Sequence, residues 1–298
     1  MSFDLQSILM RLHDTLSNLG FNLDRDRNDI ANLSTKLERL EKTKRYSLLL
    51  SEVFKSNDIN NFKSLIVEVT FAYAFETVNR PLIYEVTQSN DHDSSVDFLR
   101  KTENGRKIYF KLRANQQRSQ IKDGIESQLR LKNMYSFLLD GTGKREEIVR
   151  LQNNILSKTQ DKNGKPIKFF VTEPGVYNIV VAETSGITSG MVDKSDCMLT
   201  AYGNPYMEEH EQRKIFGLFL KPEPHYPGHI LTIAKHFSRF RKTIHAILFL
   251  VKHSNSGPLD LDLSYYLIPN TDLVSNSEAQ FLDKEIMPAL SPWLCCII

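Results

Sequence analysis

The stretch SSVDFLRKTENGRKIYFKLRANQQ, residues 94–117, reads as two short strands around a turn, with one aspartate, Asp97, on the first and a lysine and an arginine, Lys111 and Arg113, on the second. A carboxylate can hold a hard divalent cation, and an ammonium beside it can orient a nucleophile or stabilise charge developing during phosphoryl transfer. Register decides which of these groups meet. Val96 and Phe98 must share a face with Ile108, Phe110 and Leu112. That pairs Val96 with Leu112 and Phe98 with Phe110, and it requires a three-residue loop, Glu103-Asn104-Gly105, with the glycine left-handed. Asp97 then lies across from Lys111, with Tyr109 and Arg113 flanking on the same face. With no second carboxylate, the two form only a salt bridge.

The elements around this hairpin supply further acids. FKSLIVEVTFAYAFETV, Phe62 to Val78, is apolar almost all round, the pattern of a helix buried against a sheet, and it carries Glu68 and Glu76 inside that surface. A carboxylate in such surroundings needs a partner or an exposed edge. Pro81 then ends the helix before LIYEVTQ, a first strand.

With a helix carrying a glutamate, an antiparallel meander with an aspartate on its second strand and a lysine on its third, the chain resembles the PD-(D/E)XK nuclease superfamily, the restriction-endonuclease-like fold. The matching residues are Glu76 (Glu68 as second choice) on the helix, Val96-Asp97 for the proline-aspartate element, and Lys111 for the lysine. Gln116 and Gln117, opening the next helix, stand where that family often has glutamine. The resemblance implies an α/β (α+β) fold with a central mixed sheet flanked by helices, and catalysis by Asp97, Lys111 and Glu76. It also implies Mg2+ or Mn2+ on Asp97 and Glu76, and nucleic acid, DNA first, as partner. The family's acidic position two before the lysine is Tyr109 here; if Arg113 takes the lysine's role, it is Lys111. Neither register supplies that carboxylate, so Glu76, Glu85 or Asp93 has to compensate. The expected function is therefore nucleic-acid binding or metal-dependent phosphodiester hydrolysis at a rearranged or impaired site. The alternative is a non-catalytic interaction or scaffold protein that oligomerises through its N-terminal helices.

A second nucleic-acid contact is suggested by KHFSRFRKTIH, 235–245, where Lys235, Arg239, Arg241 and Lys242 interleave with Phe237 and Phe240, as phosphate contacts with base stacking require. Arg113, Gln117, Arg239, Arg241 and Lys242 are the candidate binding residues. Weaker signals resolve otherwise. HYPGH has two histidines four apart, but Pro227 and Gly228 forbid the helix that would align them on zinc. Asp193 and Asp196 in MVDKSDCM read as turn formers in a loop. DGTGKREE lacks the first glycine and the Ser or Thr of a phosphate loop, and reads as a turn between two helices. The terminal CCII reads as an apolar tail packing on the core.

Leu12, Leu16, Leu19, Leu23, Asp26, Ile30, Leu33, Leu37 and Leu40 alternate in steps of four and three, the seam of a coiled coil or a helical hairpin. Residues 1–57 are thus expected as an N-terminal helical segment, either pairing two copies or capping the nuclease-like domain of 58–298. KFFVTE, YNIVVAET, RKIFGLFLK and IHAILFLVKH read as later strands. In 298 residues, 38 basic against 36 acidic groups leave a net charge of +2, so any nucleic-acid surface must come from local clustering. Three cysteines without paired spacing suit a reducing compartment. The polar N-terminus and the lack of a long apolar run lead to the expectation of a cytoplasmic protein that crosses no membrane.

Overall fold

A computed structural model describes residues 3–88, 91–114, 144–160, 169, 172–184, 192–203, 215–226, 228–252, 259, 261 and 263–292. Its centre is a seven-stranded mixed sheet in sequential order, made of β1 (Ile83–Gln88), β2 (Asp91–Lys101), β3 (Lys107–Ala114), β4 (Val176–Glu183), β5 (Ala246–Lys252), β6 (Leu263–Pro269) and β7 (Ser291–Pro292). β1, β2 and β3 form the expected antiparallel meander, β4 and β5 add in parallel, β6 returns antiparallel, and β7 pairs parallel with it. The fold is α/β, as the sequence led us to expect.

Two-residue alternation along β4 and β5 gives this sheet two apolar faces. Tyr177, Ile179 and Val181 of β4 and Ala246, Leu248 and Leu250 of β5 face one core; Val180, Ala182, Ile247 and Phe249 face the other. The first face is covered by α1 (Phe3–Asn18), α2 (Arg27–Thr43), α3 (Ser47–Lys55), α4 (Ile59–Thr77) and α9 (Asn276–Ile286). The second is covered by α5 (Lys144–Leu156), α6 (Lys194–Tyr202), α7 (Gly228–His236) and α8 (Ser238–Thr243). No helix among the described residues is long and apolar enough to cross a membrane.

Leu12, Leu16, Ile30, Leu33, Leu37 and Leu40 are buried in the same core as Phe98, Ile108 and Phe110 of the sheet, and Leu19 and Leu23 pack against it. Among the described residues these leucines therefore pack into a helical cap of their own chain. α1, α2 and α3 share one core with the sheet. Asp26, the seam's polar position, is buried and accepts from Arg25 Nε at 2.8 Å.

Two expected strands take other forms. RKIFGLFLK makes a single bridge, Gly203 with Phe216, and then hands the amides of Leu218 and Phe219 to the carbonyls of Thr200 and Ala201 at the end of α6. Gly203 and Gly217 cross there too closely for side chains, with Gly203 left-handed. Phe169, Thr172 and Glu173 of KFFVTE lie outside strands, and the rest of it is not among the described residues. Asp193 and Asp196 form a reciprocal capping box at the start of α6, each side chain accepting the other's backbone amide. Gln116 and Gln117, the helix expected around them, DGTG of the 140–147 turn and the CCII tail also lie outside the described residues.

Candidate functional site

α4 is fixed on the meander by aromatic packing. Its first turn is capped by Asp58, whose side chain accepts the Asn61 amide at 2.7 Å. Farther along, Phe71 lies 5.7 Å from Phe98 of β2 and 5.3 Å from Phe110 of β3, and Phe75 lies 5.8 Å from Phe110. Burial of such rings contributes roughly 1.5–3 kcal/mol each. Side chains three apart share a helix face, so the anchor at Phe71 carries Glu68 toward the strand residue next to Phe98, which is Asp97. Glu76 sits about 12 Å farther along the helix axis.

The hairpin turn follows the sequence reading. Gly105 has φ +80°, Thr102 N donates to Arg106 O at 2.9 Å, and Phe98 pairs with Phe110. The register beyond that point does not. The β2–β3 ladder stops at Phe98–Phe110, and Val96, expected opposite Leu112, packs instead with Leu99, Tyr109, Val86 and Val176 in a separate small cluster. β2 therefore leaves β3 at Asp97. The Asp97 side chain spans the fork: Oδ2 accepts the Leu112 amide at 2.6 Å and Oδ1 accepts from Lys111 Nζ.

The same break appears on β1. Tyr84 packs on Phe98 (5.3 Å) in the main core, whereas Val86, two residues on, packs in the small cluster. Between them Glu85 has φ +47°, a conformation that bulky L-residues rarely adopt. The left-handed residue reverses the alternation, so that Tyr84 turns toward α3 and α4. Its hydroxyl lies 2.9 Å from Glu52 Oε2 and 3.1 Å from Glu68 Oε2.

Glu52 and Glu68 thus meet at the Tyr84 hydroxyl, and Glu68 and Glu85 lie within electrostatic reach of the Asp97–Lys111 pair. Burial, the Asp97 charge and, less, that of Glu52 push the Glu68 carboxyl up to about 8, against the pull of Tyr84 and Lys111. Glu85, exposed at the rim, is raised by desolvation and by Glu52 and Asp97, with Lys111 opposing. The ammonium is almost out of solvent: Lys111 is 5% exposed and Asp97 8%. Asp97 and Lys111 form a buried ion pair, and the Glu68 carboxyl beside them is held well above the usual carboxylate range.

Glu76, the first-choice helix glutamate, is not part of this group. Arg45 grips it through Nε (3.2 Å) and Nη2 (2.7 Å), and Tyr46 donates to it at 2.8 Å while accepting the Leu82 amide at 3.2 Å. This latch ties the α2–α3 turn to the end of α4. Glu68, the second choice, is the helix glutamate at Asp97, and Asp97 and Lys111 meet as expected. Glu52 and Tyr84 were not singled out in the sequence: Glu52 lies in SLLLSEVFK, a segment with no motif.

Tyr109, where the resemblance would call for an acid, is 5% exposed and packs with Val86, Val96, Leu99 and Val176. Arg113 is half-buried at the end of β3, opposite Ala182. In the 235–245 segment the expected stacking rings are unavailable, because Phe237 and Phe240 are core residues under α7 and α8. Arg241 is also structural: its Nη2 caps the Ala234 carbonyl of α7 at 2.6 Å. Arg239 and Lys242 remain exposed.

Comparison with family models, with curated proteins and with solved structures gives no match to this chain. What can be said of the site comes from its own geometry. Among the described residues no group of three His, Cys, Asp or Glu side chains converges to hold a metal ion.

Proposed function

We propose that the chain is a nucleic-acid-processing protein of the PD-(D/E)XK type, with a restriction-endonuclease-like body and a rearranged phosphodiesterase site built on Glu68, Asp97 and Lys111. The observation that carries this reading is their convergence from a buried helix and from the second and third strands of a meander that forks at the aspartate. A fork is useful because it frees a carboxylate from the sheet's alternation and aims it along the strand gap.

The residues present fit a hard cation in one respect: Asp97 and Glu68 lie within electrostatic reach of each other in a partly buried setting, with Lys111 paired to Asp97. Glu68 and Asp97 would hold Mg2+ or Mn2+, which on two carboxylates, water and substrate phosphate would supply Lewis acidity and lower the pKa of a water. Lys111, desolvated and pinned by Asp97, offers a fixed positive charge to a phosphate oxygen. With its carboxyl raised by burial and by the Asp97 charge, Glu68 would take up or release a proton at its carboxyl oxygens when no cation is bound, with the Tyr84 hydroxyl as neighbour. Tyr109 contributes no ligand, so the site works with fewer acids than the family pattern.

A non-catalytic reading has one observation in its favour: both Asp97 oxygens are already engaged, by Lys111 and by Leu112. Incubating the chain with mixed-sequence duplex and single-stranded DNA, in Mn2+ and in chelator, separates the two. Cleavage that needs Mn2+ and Asp97 supports the enzyme; DNA left intact under all conditions supports the scaffold.

A further inference from the structure

We infer that Glu52 and Tyr84 are positioning residues of this site, so that the N-terminal cap completes it: α3 presents Glu52, and the Tyr84 hydroxyl couples it to Glu68. The inference rests on the nuclease reading above and adds to it two residues outside the resemblance.

Three features argue for it. A phenol carries one hydrogen, yet the Tyr84 hydroxyl has carboxylate oxygens at 2.9 and 3.1 Å. It can donate to only one of them, so the second contact is favourable only if a proton or a cation is shared among the three groups. Second, the meeting brings half-buried Glu52 beside half-buried Glu68 with no Lys or Arg among the described residues hydrogen-bonded to either, where an apolar pair would pack at lower cost. Third, the backbone is bent to achieve it. Glu85 takes a left-handed conformation in mid-strand, and without that reversal Tyr84 and Val86 would face the same side. Strain of this kind persists where the surroundings over-determine it. Here it sets Tyr84 between α3, α4 and the residue beside Asp97.

Tyr84 touches the carboxylates rather than the reacting atoms, and Glu52 acts through Tyr84. Their loss should loosen Glu68 and weaken cation binding by about tenfold or more, the scale for groups that orient ligands. Because the two act in series, the double variant should be no worse than Tyr84→Phe alone.

The test is Mn2+ affinity, measured by calorimetry and by the free-ion paramagnetic signal, on the full chain as wild type, Glu52→Gln, Tyr84→Phe, the double variant and Asp97→Ala. Melting of each variant without Mn2+ reports fold damage separately. Weakened affinity in both single variants, non-additive in the double, supports the inference. Should Tyr84→Phe fold poorly, Glu52→Gln carries the test, since it leaves the ring packing intact. If wild type binds, Asp97→Ala does not, and Glu52→Gln and Tyr84→Phe bind like wild type, the positioning role is overturned while the nuclease reading stands. If wild type binds no Mn2+, both fall together.

Discussion

Asp97 accepts the backbone amide of Leu112 through its side chain, at 2.6 Å, at the point where β2 stops pairing with β3. One carboxylate therefore ends a ladder and neutralises a buried lysine. Asp97→Ala should leave both the Lys111 ammonium and the Leu112 amide without that acceptor, and unpairing a buried charge costs about 3–5 kcal/mol. Adding Lys111→Met should recover most of that loss. Urea unfolding of the two single variants and the double checks it; additive losses would mean the pair is not coupled.

Glu76 is a structural group, gripped by Arg45 and Tyr46. Glu76→Gln should lower stability by roughly 1–3 kcal/mol, the scale for disturbing a buried hydrogen-bonded carboxylate, and leave Mn2+ affinity unchanged at temperatures where it is folded. Glu68→Gln should do the reverse, removing a proton-binding carboxyl at little cost to folding. Denaturant midpoints and Mn2+ titrations of the two variants, side by side, distinguish them.

Replacing Tyr109 with glutamate, which would supply the acid that the resemblance lacks, should fail to build a site. The position is walled by Val86, Val96, Leu99 and Val176, and an unpaired carboxylate there costs several kcal/mol. The expected result is a lower melting temperature with no gain in Mn2+ affinity.

Two groups give the stability opposite slopes with pH. Burial lowers His245 from 6.5 to about 4, with Nδ1 accepting the Asn178 amide at 3.0 Å. Between those values the unfolded chain binds the extra proton, so stability falls as pH drops from about 6.5 to about 4. Glu68 is raised from 4.5 to about 8. Here the folded chain holds the extra proton, so its contribution is greatest below 4.5 and falls as pH rises toward 8. His245→Gln should flatten the first slope and Glu68→Gln the second, as read from unfolding free energies across pH 4–9.

If Arg239 and Lys242 meet phosphates, Arg239→Ala with Lys242→Ala should weaken DNA binding about equally for any sequence and reduce the salt slope by about one unit per lost contact. Arg241→Ala should instead destabilise the fold, because it uncaps Ala234. Binding isotherms at several salt concentrations, with a melting curve for each variant, separate the two effects.

The meander, its glycine turn, the apolar helix and the Asp97–Lys111 meeting were legible because each follows from periodicity and turn chemistry within some thirty residues of chain. The choice between Glu68 and Glu76 was not. Both are acids on an almost wholly apolar helix, and only the seating of Phe71 on Phe98 and Phe110 decides which one reaches the strands. Glu52 was invisible for a related reason: it arrives through the packing of a separate helix. The face reversal at Glu85 also broke a rule, since alternation alone would keep Tyr84 with Val86 and Val96 with Phe98. The basic cluster misled because Phe237 and Phe240 were read as stacking rings when their spacing equally marks the buried side of two short helices.

The most direct measurement is DNA cleavage by the folded chain in Mn2+, comparing wild type with Glu68→Gln and Glu76→Gln. A phosphodiesterase site on Glu68, Asp97 and Lys111 predicts cleavage by wild type that stops in chelator, loss in Glu68→Gln, and near-wild-type rates in Glu76→Gln below its melting temperature. Cleavage that persists in chelator, or full Mn2+-dependent activity in Glu68→Gln, would contradict it.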